Sequence, residues 1–172
     1  IWSSVQHPNC VSLIGASMDG NKLVLCCELM SGGSLFSQHT RRLKDKAALL
    51  STAECALRML QVASGMAYMH AMTPPLIHRD LKSPNLLVDR DWSVKVTDFG
   101  LSHQLSASRE QTTEFAGTPL YMAPEVLNRV DYGGNVDWWA LGVLVVEILT
   151  GASPFAADDE GATQAAVLRH AG

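Results

Sequence analysis

The chain has 172 residues, 47% of them apolar and 17% charged, which provides for a buried core and excludes a disordered chain. Thirteen Lys and Arg against seventeen Asp and Glu leave a formal charge of −4, which excludes nucleic-acid binding by bulk positive charge. The longest apolar stretch, residues 138–146, is broken by Glu147 and is shorter than the roughly 18 residues of a membrane span.

Residues 11–16 and 23–29 are short apolar runs on either side of Met18-Asp19-Gly20-Asn21, which predicts two antiparallel strands around a tight connection. Ser31-Gly32-Gly33-Ser34 breaks that pattern and leads to a short helix. Ser51-Thr52-Ala53-Glu54 is a capping box and marks a helix start. Beyond it Ala53, Ala56, Leu57, Leu60, Ala63, Ala67 and Ala71 form a stripe at helical period, made mostly of small residues so that another helix can approach closely, and Thr73-Pro74-Pro75 ends the helix. Leu86-Leu87-Val88 and Val94-Lys95-Val96 are short strands around a turn at Asp89-Arg90-Asp91. The polar stretch 101–113 has no period and reads as a long loop, with Ser102, Ser106, Ser108, Thr112 and Thr113 as candidate phosphosites. Residues 137–150 read as a buried helix closed by Gly151, with Asp137 as a possible cap. The order is that of an α+β chain with most of its mass helical. Cys10, Cys26, Cys27 and Cys55 form no metal-ligand spacing and read as small buried residues in a reducing, cytoplasmic compartment.

The chemistry gathers around the second pair of strands. A hairpin folds back on itself, so residues flanking its two ends become neighbours. Asn85 enters the first strand and Asp98 leaves the second, so their oxygens should converge on one point. A carboxylate and an amide oxygen suit a hard cation such as Mg2+, which takes few protein ligands and completes its shell with phosphate oxygens. Asp80, just upstream, is placed to accept a proton from an incoming hydroxyl, and Lys82 to neutralise charge on a transferring phosphate.

These residues lie in His78-Arg79-Asp80-Leu81-Lys82-Ser83-Pro84-Asn85, Asp98-Phe99-Gly100 and Ala123-Pro124-Glu125. In that order they resemble the motif set of eukaryotic protein kinases. His7-Pro8-Asn9 and Asp137-Trp138-Trp139-Ala140-Leu141-Gly142 match the same family, so the resemblance covers nearly the whole chain. It implies a protein-kinase-like fold, with residues 1–30 as a remnant of the small lobe and 31–172 as the large lobe. It also implies ATP and Mg2+ as cofactors and a protein substrate. Lys82 and Gly117-Thr118-Pro119 resemble serine/threonine kinases. Residues 78–85 resemble the tyrosine-kinase-like group and residues 136–142 the cyclic-nucleotide-dependent kinases, so no subfamily follows.

Position by position, the resemblance makes Asp80 the catalytic base and Lys82 the contact to the γ-phosphate. It makes Asn85 and Asp98 the metal ligands. Thr118 would bond Asp80 and Lys82 and close the substrate site. Glu28 and Met30 fall at the hinge that holds adenine, Cys27 at the gatekeeper, Ser34 near the ribose, and Leu87 under the adenine. Leu13, His78 and Phe99 would form a stack linking the lobes. Asp137 would tie down the catalytic loop. Arg79 would receive a phosphate from the activation segment. The family's phosphothreonine position falls on Glu114, with Thr113 beside it, and a carboxylate there can partly replace the phosphate.

The family's glycine-rich loop, its strand lysine and the helix glutamate paired with that lysine have no counterpart in the sequence, nor has the arginine that partners Glu125. The sequence reads as the middle of a kinase domain cut at both ends, inactive in isolation. A pseudokinase-type binding scaffold is the alternative, separated by whether the upstream strand carries its lysine. A small-molecule phosphotransferase is disfavoured by the long segment between Asp98 and Glu125, which docks peptides in protein kinases.

Overall fold

The computed structural model describes residues 1–106 and 111–170, so Ser108 lies outside the described residues. The elements are β1 (Leu13–Asp19), β2 (Lys22–Cys27), α1 (Leu35–Lys44), α2 (Thr52–His70), β3 (Leu76–Ile77), β4 (Leu86–Val88), β5 (Val94–Val96), β6 (His103–Gln104), α3 (Pro124–Leu127), α4 (Asn135–Thr150) and α5 (Glu160–Arg169). Short 3-10 turns occur at Trp2–Ser4, Ser83–Asn85, Phe99–Leu101 and Pro119–Tyr121. The chain is α+β, as its composition of elements implied. Among the described residues, no helix is long and apolar enough to cross a membrane.

The capping box starts α2 as expected. Ser51 Oγ accepts from the Glu54 amide at 3.3 Å while Glu54 Oε2 accepts from the Ser51 amide at 2.9 Å. The buried face of the helix, however, is Cys55, Met59, Val62, Met66 and Met69, and the alanine stripe is not the core face. Leu57 and Leu60 are 64% and 66% exposed. Both stripes have helical spacing, so period alone does not choose between them. The sulfur-bearing side chains win because they are bulkier and flexible enough to fill an irregular core. Gly65 lies on that face where residues 9–10 cross the helix, and a Cβ there would stand 2.9 Å from the Asn9 carbonyl oxygen.

α4 begins two residues before the expected Asp137, so Asp137 is not its cap. Val136, Ala140, Val143, Leu144 and Ile148 bury one side of it, and α2 packs against it. Gly151 closes it in the left-handed region (φ 86°), where a side chain would be strained, and donates to the Glu147 carbonyl at 2.8 Å.

The β4–β5 hairpin is supported on both edges. Gly32 donates to the Val88 carbonyl, and Val88 to that of Gly33, each at 2.8 Å. On the other edge Val11 donates to the Val96 carbonyl and Val96 to that of Asn9, again at 2.8 Å. The described residues of the stretch 101–113 are less irregular than the sequence suggested. β6 pairs antiparallel with β3, and Thr112 bridges Tyr132. Pairings of one or two residues are too short to leave a period in sequence. β1 and β2 pair with each other, from Leu13↔Cys27 to Asp19↔Lys22, and both are exposed along most of their length. Cys10 and Cys55 are buried as expected, whereas Cys26 and Cys27 are exposed, because the hairpin carrying them packs against little else among the described residues.

Candidate active site

The segment between β3 and β4 is held by a carboxylate from α4. Asp137, 1% exposed, accepts from the amides of His78 at 2.9 Å and Arg79 at 2.8 Å. It also meets His70 Nε2 at 2.8 Å. Burial alone would push this carboxyl up, but the bond from His70, the nearby His78 and the backbone donors outweigh it and hold the carboxyl below its ordinary value. Arg79 can therefore keep a left-handed backbone (φ 68°) that a non-glycine residue rarely adopts. His78 is fully buried; its Nε2 donates to the Thr97 carbonyl at 3.0 Å and its Nδ1 accepts from the Asp80 amide at 3.3 Å. That pattern gives the ring a structural role. The ring packs edge-on to Phe99 at 5.5 Å, and Phe99 in turn meets Trp2 at 5.5 Å.

Four of the expected residues meet directly. Thr118 Oγ1 donates to Asp80 Oδ1 at 2.6 Å, and Lys82 Nζ lies 2.7 Å from Asp80 Oδ2 and 2.9 Å from Thr118 Oγ1. Asn85 Nδ2 donates to the Asp80 carbonyl at 2.9 Å and to Asp80 Oδ2 at 3.2 Å. Both carboxylate oxygens of Asp80 are thus occupied by donors. These bonds also turn Asn85 Oδ1 away from Asp80.

Asp98 joins this group through the backbone. Thr97 donates to the Asn85 carbonyl at 3.0 Å, which sets Asp98 beside the end of the 78–85 segment. Asp98 is exposed, left-handed (φ 63°), and among the described residues accepts a long 3.4 Å bond from the Gly100 amide. Among the described residues no three His, Cys, Asp or Glu side chains gather as a metal cage. An amide oxygen and a free carboxylate nevertheless fit a Mg2+ ion that shares its shell with phosphate oxygens.

The other expected residues have definite places. Ser34 bridges Leu87 across the backbone, so the two lie together, and Ser34 Oγ caps α1 by accepting from the Ser37 amide at 3.1 Å. Met30 is buried nearby. The Glu28 side chain points elsewhere, to the Ser12 amide and to Lys95 Nζ, each at 2.6 Å. Arg79, only 8% exposed in its side chain, reaches Glu114 at 2.6 Å and the Leu101 carbonyl at 2.7 Å. Glu114 also lies 3.6 Å from His103, and its carbonyl accepts from the Tyr132 hydroxyl. Thr113 is exposed.

The model of the protein kinase domain family matches residues 1–171. The chain belongs to the protein kinase family. Ribosomal protein S6 kinase alpha-1 from Homo sapiens is 35% identical over 98% of this chain. Ribosomal protein S6 kinase 2 beta from Xenopus laevis is equally similar. The cAMP-dependent protein kinase catalytic subunit of Dictyostelium discoideum is 35% identical over 92% of the chain. The chain spans 22% to 26% of the length of these curated relatives.

Two site features of this kinase domain escaped the sequence reading. Trp2 extends the His78–Phe99 contact. Ser83, within the 78–85 segment, forms a buried cluster with Tyr121 and Glu147. A signal for the second existed: beyond Asp137, Glu147 is the one charge in an otherwise apolar helix, and a buried carboxylate requires donors.

Proposed function

We propose that the full-length protein containing this chain is a serine/threonine protein kinase that works inside the cell, transferring the γ-phosphate of ATP to Ser and Thr hydroxyls of protein substrates. The observation that carries this reading is the direct contact of Asp80, Lys82, Thr118 and Asn85, with Asp98 placed alongside by the backbone. In this reading residues 1–30 belong to the small lobe and 31–172 to the large lobe. Adenine sits against the backbone at Glu28 and Met30, above Leu87 and next to Ser34.

The substrate hydroxyl takes the place of the Thr118 hydroxyl or the Lys82 ammonium on Asp80 and gives up its proton to that carboxylate. Lys82, released toward the phosphate, offsets negative charge as the hydroxyl oxygen bonds to phosphorus and the bond to the leaving diphosphate breaks. Mg2+ held by Asn85 and Asp98 would screen the charge of the phosphate oxygens. Asp137 keeps the segment from shifting during transfer.

The test is transfer of labelled phosphate to a Ser- or Thr-containing peptide by the full-length protein. Asp80→Asn should lower kcat by roughly 10²–10⁴-fold, the scale of a lost general base. Asp98→Ala should weaken Mg·ATP-dependent turnover to a similar extent. Ordinary transfer by Asp98→Ala would show that the site is assigned wrongly.

A further inference from the structure

The face of α2 turned away from the core carries groups that phosphate transfer does not use. Leu57 and Leu60 are neighbours on it, 64% and 66% exposed. Beside them the turn between β4 and β5 presents Trp92, which holds a left-handed backbone (φ 64°) that a bulky residue rarely adopts. With Arg58, Gln61 and Asp91 these residues line a groove of about 510 Å³. Arg58 is buried here, 7% exposed, yet its charge is unmatched. Its guanidinium donates to the Glu54 carbonyl at 2.6 Å and lies 4.8 Å from the Trp92 ring centre, and its Nε has no acceptor among the described residues. Arg42 of α1 lies over the same ring at 5.6 Å. Neither arginine forms an ion pair among the described residues. Glu54, whose charge reaches both, bonds the Ser51 amide and hydroxyl instead, at 2.9 and 2.8 Å. The face of an indole attracts cations, but more weakly than a carboxylate does.

We propose that this groove docks a segment of a partner protein that carries apolar side chains and a carboxylate, the apolar side chains resting on Leu57, Leu60 and Trp92 and the carboxylate matching Arg58. With Leu57 and Leu60 more than half exposed, the groove is too shallow for a small molecule, whose pockets bury about 70–90% of its surface. A peptide laid along a helix needs only one of its faces covered. Gln61 adds a means of holding its backbone: Oε1 accepts from the Val94 amide at 2.9 Å, which leaves Nε2 to donate to a peptide carbonyl. The sign of the partner's charge follows from the unmatched arginine. Its size follows from Asp91, which lines the same groove and repels excess negative charge, so that a carboxylate fits better than a doubly charged phosphate. None of the lining residues lies in the 78–85 segment or at Asp98, so docking here does not depend on phosphate transfer.

The test selects peptides of about ten residues from a displayed random library on the full-length protein, and separates those lost on Leu57→Gln with Leu60→Gln, a variant whose exposed positions leave folding intact. The peptides so lost should share apolar residues and an aspartate or glutamate. The best of them, synthesised, should bind the leucine variant about tenfold more weakly or worse. Replacing its acid by the amide should weaken binding to the unsubstituted protein by about tenfold, the scale of a hydrogen bond to a charged group. Arg58→Gln should cause a similar loss for the acidic peptide and little further loss for the amide peptide. Should Arg58→Gln fail to fold, the acid–amide comparison on the unsubstituted protein still reads the charge. If no selected peptide depends on the two leucines, or if those that do bind equally well as amides, the docking site is wrong. Tighter binding with phosphoserine in place of the acid would overturn the carboxylate. A dimer of the full-length protein that the leucine variant dissolves in analytical ultracentrifugation would give the groove to a second copy and overturn the partner.

Discussion

Asp137 holds the 78–79 backbone and His70 at once. Asp137→Ala would leave the His78 and Arg79 amides buried without an acceptor, at about 1–3 kcal/mol each. Urea unfolding should therefore show a loss of about 3 kcal/mol or more; a loss under about 1 kcal/mol would mean that other acceptors replace it. The pH dependence has a definite sign. The folded carboxyl lies below its unfolded value, so its contribution is complete above about pH 4 and fades as pH falls through the lower folded value. The acid arm of the stability profile should be shallower in the alanine variant than in the parent. Glu114 follows the same sign. The bond and charge of Arg79 hold its carboxyl down, so the pair is complete above the ordinary carboxylate range and lost as pH falls through the folded value. We propose that this pair stands in for an activation-segment phosphate. Phosphatase-treated full-length protein should keep substantial activity, Glu114→Ala should reduce it, and Thr113→Ala should be silent. Strict dependence on phosphate at Thr113 would refute this. Glu114 was legible in sequence by counting from Thr118, because the motif spacing is rigid. Ser83–Tyr121–Glu147 was not, because its members are far apart in sequence, up to 64 residues.

At the scale of elements, α2 separates what the sequence specifies from what packing decides. Its start was legible because a cap is a local bond, and Ser51→Ala should cost about 1 kcal/mol in thermal or urea unfolding. Its inward face was not legible, because two stripes share one period. Leu57→Gln and Leu60→Gln should each change stability by less than about 0.5 kcal/mol, as expected for exposed positions. Gly65→Ala should do the opposite of what helix propensity implies. Alanine favours a helix by about 1 kcal/mol over glycine. The added Cβ, however, would meet the Asn9 carbonyl at 2.9 Å and Cys10 Sγ at 3.3 Å, and neither backbone can withdraw without opening the junction. A net loss of about 1–3 kcal/mol is expected. A gain would show that residues 9–10 are not seated on α2. β3–β6 marks the other limit: a ladder of two residues has no pattern, so only tertiary structure reveals it.

At the scale of the whole molecule, the β1–β2 hairpin stands apart from the core. Ile14, Met18, Leu23, Val24 and Leu25 are between 46% and 69% exposed, and Leu29 is 85% exposed. Exposed strand edges and apolar faces invite pairing with other chains. The 172-residue chain by itself is expected to self-associate, and Ile14→Lys with Leu23→Lys should raise its monomeric fraction in analytical ultracentrifugation. A monomer without these substitutions would contradict that. The grip of α4 on the catalytic segment has a consequence for how the chain is made. The amides of His78 and Arg79 find Asp137 across 59 and 58 residues, and Ser83 finds Glu147 across 64. At a synthesis rate of about 5–20 residues per second, the catalytic segment leaves the ribosome roughly 3–12 s before the helix that holds it. For those seconds its donors have only water, and the left-handed turn at Arg79 has nothing to keep it. Codons that slow translation between residues 80 and 147 would lengthen this exposure and lower the yield of folded protein while leaving the finished molecule unchanged.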